Sequence, residues 1–160
     1  MCIRDRCRLL VPEVDYPGFR HVGLVVQDIE QCVAFYQEIG FEVLMDDQES
    51  APLISDLLGL DVHSLRVVKL GRPPAATCVE LLAFDPSVDS SRPPLNGTGI
   101  THFALTVEHV DAFYESHRHR WPFLSEPRVS FDGRFKLVFC RDPEGNVIEF
   151  VSAKPQPNST

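Results

Sequence analysis

The apolar positions of this chain change period several times, and the changes mark out its elements. His21-Val22-Gly23-Leu24-Val25-Val26 is short, β-branched and apolar, and predicts a strand. Asp28 stands where a helix N-cap would. Ile29, Cys32, Val33, Phe35 and Tyr36 then recur at helical spacing, and Gly40 ends that helix. Alternation returns over residues 41–45. Residues 52–59 predict a short helix inserted between strands, and residues 64–70 and 77–84 predict two strands split by the turn Gly71-Arg72-Pro73-Pro74.

After a Pro/Ser/Gly/Asp-rich linker over residues 85–99 the pattern starts again. Residues 100–107 predict a strand and Asp111, Phe113 and Tyr114 a helix running to about Arg120. Residues 122–124 lead into a weak strand, and residues 135–140 predict a strand. Asp142-Pro143-Glu144-Gly145-Asn146 predicts a hairpin turn, and residues 147–151 the last strand. His21-Val-Gly-Leu-Val-Val aligns with His102-Phe-Ala-Leu-Thr-Val, Phe35-Tyr36 with Phe113-Tyr114, and Val79-Glu80-Leu81 with Ile148-Glu149-Phe150. Self-similarity at a period of roughly 80 residues indicates a duplicated supersecondary unit. The expected fold class is α+β: two tandem βαβββ units, residues 18–85 and 98–152, forming a mixed, curved sheet or half-open barrel with helices outside. Tails over residues 1–17 and 153–160 flank this single domain.

Composition narrows the function classes. With 160 residues, 44% hydrophobic and 24% charged, the chain has the balance of one globular domain. No run of 18 apolar residues is present, so no membrane span is expected. A net charge of -8 repels phosphate backbones, which argues against nucleic-acid binding and suits a cytoplasmic enzyme. The five cysteines are odd in number and form no C-x-x-C pair; Cys32, Cys78 and Cys140 sit in apolar segments and read as buried hydrophobes in a reducing compartment. Met1-Cys2-Ile3-Arg4-Asp5-Arg6 is what a common sequencing-library transposon adapter end encodes, and reads as a cloning or assembly scar. A genomic read across the start codon that encodes the same hexapeptide would refute this.

Four residues carry the candidate chemistry. Taken singly, a histidine opening a strand is an ordinary structural residue, and a glutamate within a strand faces solvent. Taken together they differ. Strand period 2 points Glu80 away from Val79 and Leu81, and Glu149 away from Ile148 and Phe150, so both glutamates lie on the face opposite any packed helix. Each repeat supplies one His and one Glu, and a pseudo-twofold barrel would bring His21, Glu80, His102 and Glu149 to its centre. Two neutral imidazoles and two carboxylates suit one divalent ion such as Zn, Ni, Co, Mn or Fe. His63, His109, His117 and His119 fall off these repeat positions; His117 and His119, with Arg118 and Arg120, read as a solvated basic patch at a helix end. Arg141 precedes the hairpin turn, where it could reach an anionic substrate or make a surface salt bridge. Trp121 and Phe131 read as core or pocket lining.

The segments HVGLVVQDIEQCVAFYQEIGFEVL, CVELLAF, GITHFALTVEHVDAF and FCRDPEGNVIEFV resemble the vicinal oxygen chelate superfamily, the glyoxalase/bleomycin-resistance/extradiol-dioxygenase fold. They span roughly residues 18 to 152, and the DPEGN turn before the final IEF strand is the most specific. The resemblance implies metal ligands at His21, Glu80, His102 and Glu149, a set most similar to that of glyoxalase I, and hence a lyase or isomerase of the lactoylglutathione lyase type. It implies a small-molecule substrate that chelates the metal through vicinal oxygens, with Glu149, and second Glu80, as the base. It also implies a homodimer, since each unit forms an open sheet that a second unit completes within the chain or across a dimer. A metal-free antibiotic-sequestering protein and an Fe(II) extradiol-type dioxygenase are the alternatives on this scaffold. The inserted segment at residues 51–59 resembles a variable lid-like segment, and no basic cluster that would clasp glutathione carboxylates is evident.

Overall fold

The computed structural model describes residues 19–72, 78–88 and 94–153. The N-terminal hexapeptide, Cys2, Cys7 and residues 154–160 lie outside the described residues. The first half of the chain supplies β1 (His21–Val25), α1 (Ile29–Glu38), β2 (Glu42–Ser50), α2 (Ala51–Leu58), β3 (Ser64–Gly71) and β4 (Cys78–Asp85). The second supplies β5 (His102–Thr106), α3 (Val110–His117), β6 (Arg128–Val129), β7 (Phe135–Arg141) and β8 (Val147–Ala153). They form two four-stranded sheets, in the orders β1-β4-β3-β2 and β5-β8-β7-β6. The first strand of each half runs parallel to the last, and the other pairs are antiparallel. The sheets are mixed and open, as the duplicated βαβββ pattern predicts.

Local chemistry explains the ends of α1. Asp28 Oδ1 accepts the Gln31 N–H at 3.0 Å, the side-chain cap that its position in the sequence predicts. At the other end Gly40 takes φ +90°, its N–H bonds to Gln37 O, and the Phe41 N–H bonds to Tyr36 O. This paired pattern needs a left-handed residue, which glycine supplies without a Cβ clash. Phe41 then packs edge-on to Tyr36, 5.8 Å between ring centres. Asp28→Ala is expected to destabilise the fold by about 1 kcal/mol, read as a lower urea midpoint with an unchanged slope. An unchanged midpoint would mean that Glu144, which accepts the Gln27 and Asp28 N–H groups at 2.8 Å, holds that helix end alone.

Helices α1 and α3 cover the outer face of the sheets. Ile29, Cys32, Phe35 and Tyr36 of α1 and Val110 of α3 share one core with Val68, Leu70, Val79, Leu81, Val138, Cys140, Ile148 and Phe150. Trp121 joins this core against Phe35 and Phe113, so it packs rather than lines a pocket. The inserted α2 lies elsewhere. Its Ile54 packs with Leu65, Val67, Leu82 and Phe84 on the inner face of the first sheet.

Some boundaries differ from the sequence pattern. Strand β2 continues through Asp46-Asp47-Gln48-Glu49-Ser50 because backbone pairing to β3 sustains an edge strand whose side chains are mostly exposed. The weak strand that residues 122–124 lead into is the two-residue β6, and residues 122–124 themselves make one bridge, Phe123 to Cys140, since Pro122 has no N–H to donate. Helix α3 ends at His117. Phe131, read as core or pocket lining, is fully exposed in the turn between β6 and β7.

Candidate metal centre

The register of the two sheets fixes the site. In the first, β1 and β4 run parallel with His21 beside Cys78 and Gly23 beside Glu80. In the second, β5 and β8 run parallel with His102 beside Val147 and Ala104 beside Glu149. Each glutamate therefore lies two positions beyond the partner of its histidine, on the same face as that histidine. Alternation explains the direction: Val79 and Leu81 are buried in the outer core, as are Ile148 and Phe150, leaving the intervening glutamates on the inner face. A small residue stands opposite each. A Cβ on Gly23 would come within 4.0 Å of Glu80 Oε2, so the missing side chain leaves room beside the carboxylate.

Within each sheet the two predicted residues meet. His21 Nε2 lies 3.2 Å from Glu80 Oε2, and His102 Nε2 lies 3.3 Å from Glu149 Oε2. The glutamates are mostly buried, with side chains 15% and 18% exposed. Among the described residues no three His, Cys, Asp or Glu side chains gather closely enough to hold a metal ion. The four predicted residues are thus brought together as two dyads, and the dyads are not brought to one point within a single chain.

The donor chemistry of each dyad fits a divalent ion. Ligands bound at about 2.1 Å stand about 3.4 Å apart at a tetrahedral angle and about 3.0 Å apart at an octahedral one. The observed separations lie between these values. His102 is also braced behind: Thr101 Oγ1 lies 2.8 Å from its Nδ1, the partner a ligating imidazole needs on its far nitrogen. Phe139 meets the His102 ring edge-on at 5.2 Å.

Two features of the site lie outside the sequence pattern. Lys69 Nζ lies 3.3 Å from Glu80 Oε1, so Glu80 is shared between an imidazole and an ammonium. The hairpin turn is a second surprise, because it does more than reverse the chain. Asp142, 3% exposed, accepts from Glu144 N, Asn146 N, Asn146 Nδ2 and the Tyr36 hydroxyl of α1. The turn thereby joins the second sheet to the helix of the first.

Other sequence candidates resolve as follows. Arg141 donates Nη1 to Gly145 O within its own turn, in place of the surface salt bridge weighed for it. It also lines, with Gly23, Val25 and His102, a cleft of about 510 Å³. That cleft runs between β1 and β5, each the edge strand of its sheet. His117 is not part of a solvated patch: it stacks on Trp121 at 4.0 Å and is half-buried. Arg118 and Arg120 pair with Glu115 and Glu38. Cys32 and Cys140 are buried free thiols, and burial pushes the Cys140 thiol up to about 12, which keeps it protonated and inert. No helix among the described residues is long and apolar enough to cross a membrane.

Known structures share this arrangement. A glyoxalase family protein from Bacillus cereus matches with a TM-score of 0.79 at 19% identity, covering 91% of this chain and 99% of that one. TnmS3, an antibiotic binding protein from Streptomyces sp. CB03234, matches at 0.60 and 20% identity, covering 89% and 100%. A glyoxalase I variant from Zea mays matches at 0.59 and 21%, covering 83% of this chain and 43% of the maize chain. At these identities the likeness is one of fold. No curated protein matches the chain. Residues 18–150, however, match the sequence pattern of one family, and the chain belongs to the Glyoxalase/Bleomycin resistance protein/Dioxygenase superfamily.

Proposed function

We propose that the protein is a metal-dependent enzyme of the glyoxalase I type, a lyase or isomerase whose small substrate chelates one divalent ion through vicinal oxygens. The observation that carries this reading is the repeated His–Glu dyad, at the same register position on both inner faces and with a ligand-like separation in each. A bound ion would supply Lewis-acid stabilisation of negative charge on the substrate oxygens. His21 and His102 would hold it through Nε2, Glu80 and Glu149 through a carboxylate oxygen. Glu149 is the better placed base. Lys69 holds one oxygen of Glu80, whereas the corresponding neighbour of Glu149 is Phe139.

The dyads are half-sites, and a homodimer that sets the His21–Glu80 edge of one copy against the His102–Glu149 edge of the other completes them. Tag-free protein is expected to retain one divalent ion per chain by elemental analysis, to sediment as a dimer and to lose thermal stability on chelation. Absence of metal, with a melting temperature indifferent to chelator, would defeat the enzyme reading. Mixing His21→Ala with His102→Ala protein discriminates the site's location: a heterodimer regains one intact site in two only if each site spans both copies. Isomerisation of a hemithioacetal would place the reaction with glyoxalase I, and aerobic consumption of a catechol with the dioxygenases.

A ligand-sequestering role is the second reading. It is favoured by the cleft between β1 and β5 and by the ion pair from Lys69, which satisfies Glu80 without a metal. Tight ligand binding by metal-free protein would select it.

A further inference from the structure

We infer that Lys69 anchors an anionic group of the ligand beside the metal position, so that the substrate class is a carboxylate carrying an adjacent chelating oxygen. This rests on the metal-dependent reading above.

The placement is specific. Lys69 of β3 pairs in register with Glu80, which pairs with Gly23. The three therefore share the inner face. Its neighbours Val68 and Leu70 are fully buried on the other face, so alternation forces the lysine inward. Further along that face lie Leu65, Val67, Leu82 and Phe84, closed over by Ile54 of α2. The lysine stem thus borders an apolar floor, and its side chain is 31% exposed. Its ammonium takes one carboxylate oxygen of Glu80 while His21 takes the other.

The two half-sites differ at this point. The residue paired with Glu149 at the position of Lys69 is Phe139, whose ring meets His102. At this register position one half carries a cation and the other an aromatic ring; the second half's own cation, Arg141, stands two residues beyond Phe139 on the same face and is bonded to Gly145 O. A divalent ion with Glu80, Glu149 and two neutral imidazoles makes a site of zero net charge. Lys69 makes it +1. When Glu80 Oε2 takes an ion, Glu80 Oε1 stays with Lys69 and the single carboxylate charge is shared between ion and ammonium, which leaves the ammonium short of counter-charge in a partly desolvated setting. A carboxylate on the ligand supplies that counter-charge; a neutral group cannot. Sites with a built-in polar partner discriminate strongly against ligands that leave it unpaired.

A matched pair of small chelators tests this. Glycolate and glycolamide both offer vicinal oxygens, but only glycolate is an anion. Calorimetric titration of protein loaded with the ion it retains is expected to give glycolate at least a tenfold tighter Kd than glycolamide. Lys69→Met should reduce that preference about tenfold by weakening glycolate alone, with metal content unchanged, and Lys69→Arg should keep it. Equal affinities in the unmodified protein, or a preference undiminished by Lys69→Met, overturn the inference while leaving the metal site standing. A protein that takes up no metal overturns the metal reading and this inference with it. Because a carboxylate also binds a divalent ion more tightly than an amide, the change in preference on removing the ammonium decides the matter, and Lys69→Gln serves if Lys69→Met fails to fold.

Discussion

Glu149→Ala is expected to lower metal-dependent turnover by about 10²–10⁴-fold, the range over which a positioned base contributes. The same change should reduce retained metal, since Glu149 Oε2 faces His102 Nε2 at 3.3 Å as half of one ligand edge. Glu149→Gln separates the two roles. An amide oxygen can still ligate, but an amide cannot take a proton. Retained metal with lost turnover would assign Glu149 as the base. Equal loss of both would make it a ligand only, and turnover within a few-fold of the unmodified protein would remove it from the mechanism. The order relative to Glu80 is also expected: Glu80→Gln should be the milder change, because Lys69 already holds one Glu80 oxygen. Elemental analysis and steady-state rates, measured on the same preparations, decide these cases.

Asp142→Ala should be the most destabilising single change outside the apolar core. The carboxylate is 3% exposed and accepts four hydrogen bonds, from Glu144 N, Asn146 N, Asn146 Nδ2 and Tyr36 Oη. Removing an ionised acceptor strands buried donors, and hydrogen bonds to charged groups contribute about 1.5–3 kcal/mol each, without full additivity. A loss of about 3 kcal/mol is expected, and in a domain of this size that lowers Tm by roughly 6–12 °C. Tyr36→Phe removes one of the four donors and should destabilise by about 1 kcal/mol. A Tm for Asp142→Ala within 2 °C of the unmodified protein would contradict this account.

The parts of the fold that follow a short period were legible in the sequence. The first strand of each half was read from a β-branched apolar run, α1 from helical spacing between Asp28 and Gly40, and the inward glutamates from their apolar neighbours. All of these depend on contacts within a few residues. What was illegible depends on partners far away. Lys69 looks like any lysine in an alternating strand; only the pairing of β3 with β4 puts it against Glu80. The second half of β2 lies beyond the alternating run at residues 41–45, because its ladder is made by backbone and not by side-chain pattern. Asp142 and Glu144 read as turn chemistry, since nothing local points to Tyr36 or to the start of α1. His117 reads as a charge at a helix end, and its stack on Trp121 depends on how the chain doubles back after α3. The separation of the two dyads is likewise a matter of how the halves are set against one another, on which strand periodicity is silent.

The bonds from Glu144 to Gln27 and Asp28 bear on how the chain comes to be folded. They join groups 117 and 116 positions apart in sequence, so the backbone leading into α1 gains this acceptor only after Glu144 has been synthesised. Loop closure over that length is entropically unfavourable and comes after local structure has formed. The first half therefore emerges from the ribosome with its helix incompletely stabilised, and the second half finishes it. The two similar units are thus unequal in their dependence: the earlier one makes its last contacts only when the turn of the later one is in place.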